Sequence, residues 1–343
     1  MRSFFLTTAC AVIPIFCNAA YTIKNGKLIA THELATLSVQ EHYGLAKDAL
    51  EGGNWIELIR QSRIISKNFS GTAFAEDAHF YMGLAYFHLK ELDLSNNHFS
   101  VYIKELSAPK FFEEAIRYKF LIAQEFERGA KRRFLGQEGM PKWMSGRREC
   151  IDIYDEVIAA LPQHDLAVQS LYGKGSVLFA EEDFKAAIET FQILLRRFPK
   201  NSLAGDSYVA ITQVYKAMSE KEYADPDFLD LAAINVKKFK MDFPGDPKIA
   251  EAEEVLNAMM EVYALDLYET AEFYERTKKP KASIIYYSKI TAKYPGTRIA
   301  AKSQDKLNAL LKVHGPKEEM PTLPKKVESV IVDGSSLDSE PVR

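Results

Sequence analysis

The seven histidines, three cysteines and 47 acidic side chains of this 343-residue chain form no catalytic constellation. His79, His88 and His98 fall in one short stretch, but their spacings do not stack on a single helix face. Glu181-Glu182-Asp183 lies where one helix turns into the next, so these carboxylates read as solvated or capping groups. Gly173-Lys174-Gly175-Ser176 lacks phosphate-loop spacing and sits inside a predicted helix. His-Glu-x-x-His, Cys-x-x-Cys and Gly-x-Ser-x-Gly are all missing from the sequence. The reading is therefore no enzyme, no cofactor and no metal.

The chemistry that remains is binding, and two residue groups could do it. The segment from Arg128 to Arg148 carries Arg128, Lys131, Arg132, Arg133, Lys142, Arg147 and Arg148 against Glu138 alone, with Phe134 and Trp143 among them. It reads either as a solvated loop between helices or as a contact loop for an acidic partner or anionic lipid, with Arg132, Arg133, Trp143 and Arg147 as contacts. The second group is aromatic: Phe80, Phe87, Tyr172, Phe179 and Tyr268. Each projects either into packing between neighbouring helices or towards a peptide-binding surface.

The elements that must position these groups are helical and repeated. Leu171 to Ser202 reads as two antiparallel helices with a turn at Asp183-Phe184 and a stop at Pro199. Gly175 and Ala187 let the helix backbones approach, while Phe191 fills the gap and is expected in the core. Ala271, Tyr274, Ser283, Tyr287 and Pro295 repeat the spacing of Gly175, Leu178, Ala187, Phe191 and Pro199. Gly83, Tyr86, Ser95 and Phe99 repeat it again, and Ala46 with Trp55 opens an earlier copy. Two looser copies need insertions, one near Tyr223–Asp230 and one at 128–148. This spacing resembles the tetratricopeptide repeat. It implies an all-α solenoid of about six helical hairpins, at about 40–73, 77–108, 113–162, 168–202, 205–246 and 251–299. Stacked hairpins expose one long surface, which suits protein binding.

The ends differ from this body. Residues 1–20 have one charge at Arg2, an apolar run from Phe4 to Cys17 and small residues at Ala19 and Ala20, the three parts of an export signal. Cleavage near Ala19 or Ala20, or lipidation of Cys10 or Cys17, are the alternatives at its exit. Cys150 then remains without an internal disulfide partner and is expected to be buried. Residues 315–343 hold Pro316, Pro321, Pro324 and Pro341 and a Ser/Asp-rich end, which reads as a flexible tail after a solenoid at 21–314. The formal net charge of −3 argues against a nucleic-acid-coating protein.

Further residues carry a narrower resemblance. Gly53-Asn54-Trp55 in the first hairpin, and Ala271, Phe273, Tyr274, Ala282, Tyr294, Pro295 and Thr297 near the end, resemble the BamD-like lipoproteins of the outer-membrane β-barrel assembly machine. That resemblance implies a periplasmic scaffold at the inner face of the outer membrane, with a possible lipid tether. It implies docking on a BamA-like barrel subunit and capture of unfolded outer-membrane proteins. A second envelope class, the CpoB/YbgF-like adaptors of the cell wall, shares the repeats. Its members often carry an N-terminal coiled coil, and no heptad run precedes Trp55 here.

Overall fold

A computed structural model describes residues 21–24, 27–105, 108–136, 138–221 and 226–314. The expected export signal with Cys10 and Cys17, and the expected tail 315–343, lie outside the described residues. Among those described are thirteen α-helices and two small antiparallel hairpins of strands. The helices are α1 Val39–Glu51, α2 Trp55–Asn68, α3 Ala73–His88, α4 Leu92–Glu105, α5 Phe112–Glu127, α6 Arg147–Ala160 and α7 Asp165–Ala180. They continue with α8 Phe184–Arg197, α9 Leu203–Lys221, α10 Pro226–Asp242, α11 Lys248–Arg276, α12 Pro280–Lys293 and α13 Arg298–His314. β1 Tyr21–Lys24 pairs with β2 Lys27–Ala30, and β3 Lys131–Arg133 pairs with β4 Lys142–Ser145.

The six expected hairpins are present as α1/α2, α3/α4, α5/α6, α7/α8, α9/α10 and α11/α12, with α13 following the last. No helix among the described residues is long and apolar enough to cross a membrane. The contacts group the chain into two compact units, 1–218 with 231–252 and 219–230 with 253–343.

Five of the hairpins turn in the same way. Gly53, Lys90, Gly129, Glu182 and Lys278 each take positive φ just past the first helix. The next amide then reaches back five residues: Asn54 to Ala49, Glu91 to Tyr86, Ala130 to Glu125, Asp183 to Leu178 and Lys279 to Tyr274. This is the Schellman arrangement, which gives the last carbonyls of a helix a donor. After two of these turns the second helix is capped by a side chain, Asn54 on Glu57 N and Asp183 on Ala186 N.

In several hairpins the two helices meet at a small residue. A Cβ on Gly83 would lie 2.8 Å from the Phe99 ring, and one on Gly175 would lie 2.6 Å from Phe191. Ala271 and Tyr287 repeat this pairing, both fully buried. A polar contact recurs beside it: Ser95 Oγ donates to Gly83 O at 2.7 Å and Ser283 Oγ to Ala271 O at 2.8 Å. In α5/α6 the same place is taken by Cys150 Sγ, which lies 3.2 Å from Ala123 O. Cys150 is buried, as its apolar setting required, and burial pushes its thiol up to about 12. In α9/α10, Asn235 Nδ2 donates to Tyr208 O and Thr212 Oγ1, while Tyr208 stacks on Phe239. The α5/α6 hairpin thus keeps this contact across its insertion.

The first unit is filled by a core running from Ala46 to Val177 through α1–α7. It holds one buried cation. Lys119 Nζ donates to Asn96 Oδ1 and Ser100 Oγ and pairs with Glu156, each at 2.6 Å, tying α4, α5 and α6 together. His79 and His98 face each other across α3 and α4 with Nδ1 atoms 3.2 Å apart. His79 Nε2 meets Ser66 Oγ, and Tyr86 stacks on His98. His88 points elsewhere and stacks on Trp55, with ring centroids 4.0 Å apart. In the second unit, Glu261 accepts the first amides of α13, from Arg298 and Ile299, and Glu275 accepts Tyr287 Oη and pairs with Lys306. A carboxylate at a helix N-terminus also meets the positive end of the helix dipole.

Two measurements test this account. Phe191 is fully buried, so Phe191→Ala should cost about 3–5 kcal/mol in denaturant unfolding. A midpoint equal to wild type would refute its place at the crossing. Burial, aided by His79 and Arg63, holds the His98 imidazole down at about 4 from its ordinary 6.5. A neutral histidine must take up a proton on unfolding, so stability should fall as pH drops from about 6.5 towards 4. The melting temperature of His98→Gln should fall less over that window.

Candidate functional site

In the first unit a cleft of about 410 Å³ is shared by three successive hairpins. Gln124 and Glu127 come from α5, Asp165, Gln169, Tyr172 and Gly173 from α7, and Asn201 to Leu203 from the entry to α9. Tyr154 of α6 forms part of the wall, close against Gly173, where a Cβ would lie 2.7 Å from its ring.

The helix period places these groups. Asp165, Gln169 and Tyr172 recur at i, i+4 and i+7, and Gln124 with Glu127 at i and i+3, so each set shares one helix face. Hydrogen bonds then hold the side chains in place. Tyr154 Oη donates to Glu127 Oε2 at 2.5 Å. Asp165 accepts from Gln169 Nε2 at 2.5 Å and from Asn201 Nδ2 at 3.4 Å. Burial raises the Tyr154 phenol far above its usual range, and its bond to Glu127 adds to this. Burial also raises Tyr172, with Asp206, Glu251 and Glu127 adding to the effect. Both phenols therefore stay protonated donors at neutral pH.

Two carboxylates, three carboxamides and no cationic side chain line this cleft. A carboxamide both donates and accepts, which matches the alternating N–H and C=O groups of an extended polypeptide backbone. No group of three or more His, Cys, Asp or Glu able to hold a metal occurs among the described residues.

The aromatic candidates part company in the structure. Tyr172 lines the cleft, half-buried and tilted against Phe191. Tyr268 lines a smaller cleft of the second unit with Lys302, Asp305 and Lys306, its ring edge-on to Tyr287. Phe80 is a correction: it is only 3% exposed, stacked on Phe111 and edge-on to Phe99, so it belongs to the core. Helix α3 packs on neighbours from both sides, which leaves no open face at that position. Phe87 and Phe179 are half-buried against Tyr118 and Phe184 and do not line the cleft. The sequence reading missed Gln124, Glu127, Tyr154, Gln169 and Asn201. For Gln124, Glu127 and Gln169 a polar stripe on α5 and α7 was the available signal.

The basic segment 128–148 is largely built, not loose. Strands β3 and β4 form a bulged hairpin inserted between α5 and α6. Its cations turn onto carboxylates of the chain itself. Arg132 pairs with Glu149 at 3.2 Å, Arg133 with Glu91 at 2.5 Å, Lys142 with Glu91 at 3.0 Å and Arg147 with Glu181 at 2.5 Å. Arg133 N also donates to Asp93 Oδ2 at 2.7 Å. Glu138, the one acid of the segment, reaches Arg63 of α2 at 3.1 Å. The acidic partner that the charge run implied is supplied, for these four cations, by α6 and the neighbouring hairpins. Trp143 points outward, 65% exposed and stacked on Phe134.

Comparison with known proteins agrees with the hairpin geometry. Residues 169–201 match the tetratricopeptide repeat family model. No curated protein matches the chain. Among solved structures, a TPR repeats protein from Bacteroides fragilis is similar at a TM-score of 0.37 and 11% identity, covering 80% of this chain and 100% of that one. A tetratricopeptide repeat protein from Parabacteroides merdae gives 0.34 and 10%, covering 80% and 98%. PilF from Pseudomonas aeruginosa gives 0.28 and 13%, covering 78% and 97%. The architecture is an all-α, tetratricopeptide-like repeat array.

If the ion pairs hold the inserted hairpin down, Glu91→Gln should release it by removing the acceptor shared by Arg133 and Lys142. Limited trypsin digestion should then cut within 131–148 faster than in wild type, with the rest of the chain still protected. Equal cleavage rates would show that the pairs do not restrain it.

Proposed function

We propose that this chain is a protein-binding scaffold that holds extended polypeptide segments in the cleft shared by its third, fourth and fifth hairpins. One observation carries the reading: a cleft across three repeats lined by backbone-matching carboxamides, a half-buried tyrosine and no catalytic pair. The export signal read at 1–20 and the BamD-like residues of the first and last hairpins add a setting. In it the scaffold works in the periplasm at the inner face of the outer membrane. It would receive unfolded outer-membrane proteins through their terminal segments and hand them to a BamA-like barrel subunit. A lipid on Cys10 or Cys17 would serve as the tether.

Fluorescence anisotropy with a labelled peptide from the C-terminal strand of an outer-membrane barrel protein tests the binding step. Gln124→Ala and Gln169→Ala should each weaken binding about 2–10-fold, the size of one lost neutral hydrogen bond. Tyr172→Ala should weaken it by about tenfold or more, as an aromatic contact residue. Binding unchanged in all three variants would remove the cleft from the function. Capture from detergent-solubilised envelopes tests the setting separately, because recovery of cell-wall partners without a barrel subunit would exclude it.

A further inference from the structure

A second surface lies on the opposite kind of helix. Between α8 and α10, over α9, there is a groove of about 450 Å³ in the first unit. Leu195, Ile211 and Tyr215 contribute its apolar lining, together with Leu231 and Ile234 of α10. The α10 side is unusually bare. Leu231 is 42% exposed, Ile234 64% and Met241 71%. With Lys238 these residues recur at i, i+3, i+7 and i+10, so they form one stripe along α10. Single exposed apolar side chains are ordinary, but a stripe beside an apolar groove is a mark of an interaction site.

Two cations face one acid at the groove. Arg196 of α8 and Lys238 of α10 stand at its edge, both exposed, and neither pairs with a carboxylate among the described residues. The one acid in the lining, Asp242, is engaged by the Tyr208 hydroxyl at 2.5 Å. At the inserted hairpin, by contrast, Arg132, Arg133 and Arg147 meet the chain's own acids. Here Arg196 and Lys238 are left for something else.

We propose that this groove docks an amphipathic segment of a partner protein that lays apolar side chains along α10 and carboxylates against Arg196 and Lys238. The apolar lining would provide the contact area, and the two unpaired cations would select an acidic segment over a basic one. This site shares no residue with the first-helix cleft, so it stands whether or not that cleft binds polypeptide.

The test uses the full chain and a displayed library of random short peptides. The library is selected on wild type and counter-selected on Arg196→Glu/Lys238→Glu. Both substituted side chains are exposed, so the variant should melt like wild type. Peptides that discriminate should combine Asp or Glu with Leu, Ile or Phe, and should bind the variant about tenfold or more weakly. Ile234→Ser should weaken the same peptides while leaving their preference for acids intact. The proposal is overturned if no peptide discriminates, or if the discriminating peptides carry no acids. It is equally overturned if wild type binds vesicles of anionic lipid and the variant does not, since a lipid surface would then be the occupant.

Discussion

Everything in this molecule depends on how closely two helices cross inside a hairpin. Gly83 and Gly175 leave no room for a Cβ because Phe99 and Phe191 occupy that space. Ala271 with Tyr287 is the same solution with a slightly larger small residue. The close crossing brings a side chain of the second helix to a carbonyl of the first, from Ser95 and Ser283. Such a crossing buries a large ring at little polar cost. In the first unit, polar side chains of α5, α7 and the entry to α9 share one cleft.

The turns serve the same constraint. A left-handed residue followed by a five-residue backbone bond appears at Gly53, Lys90, Gly129, Glu182 and Lys278. Three of these are not glycine, and an L-residue there costs about 1–2 kcal/mol. The geometry persists because the crossing beyond each turn depends on it. Insertions are placed where they do not disturb the crossing. In α5/α6 the strands β3 and β4 are added between the helices, and Cys150 still meets Ala123.

The charges divide into two kinds. The insertion spends Arg132, Arg133, Lys142 and Arg147 on internal carboxylates. Arg196 and Lys238 are not so spent. Two regions that both carry cations beside apolar side chains therefore differ in what they offer a partner. Composition cannot distinguish them, because Glu91, Glu149 and Glu181 lie far along the chain from some of the cations they neutralise.

The hairpins, their boundaries and their core rings were legible in the sequence. Gly175 with Phe191 and Ala271 with Tyr287 are local spacings, and helix geometry converts them directly into contact. The burial of Cys150 was legible for a similar reason, since it lies on the inward face of its helix. What the local pattern left open was settled by stacking. Phe80 had two readings, surface or packing, and α5 with Phe111 closed over it. His79 and His98 share no helix face, yet they meet across two helices. Lys119 is buried because Asn96, Ser100 and Glu156 converge on it from other helices. A residue's helix and face follow from its neighbours in sequence. Its partner on the next hairpin depends on tertiary packing, because that partner is brought near only when the hairpins stack.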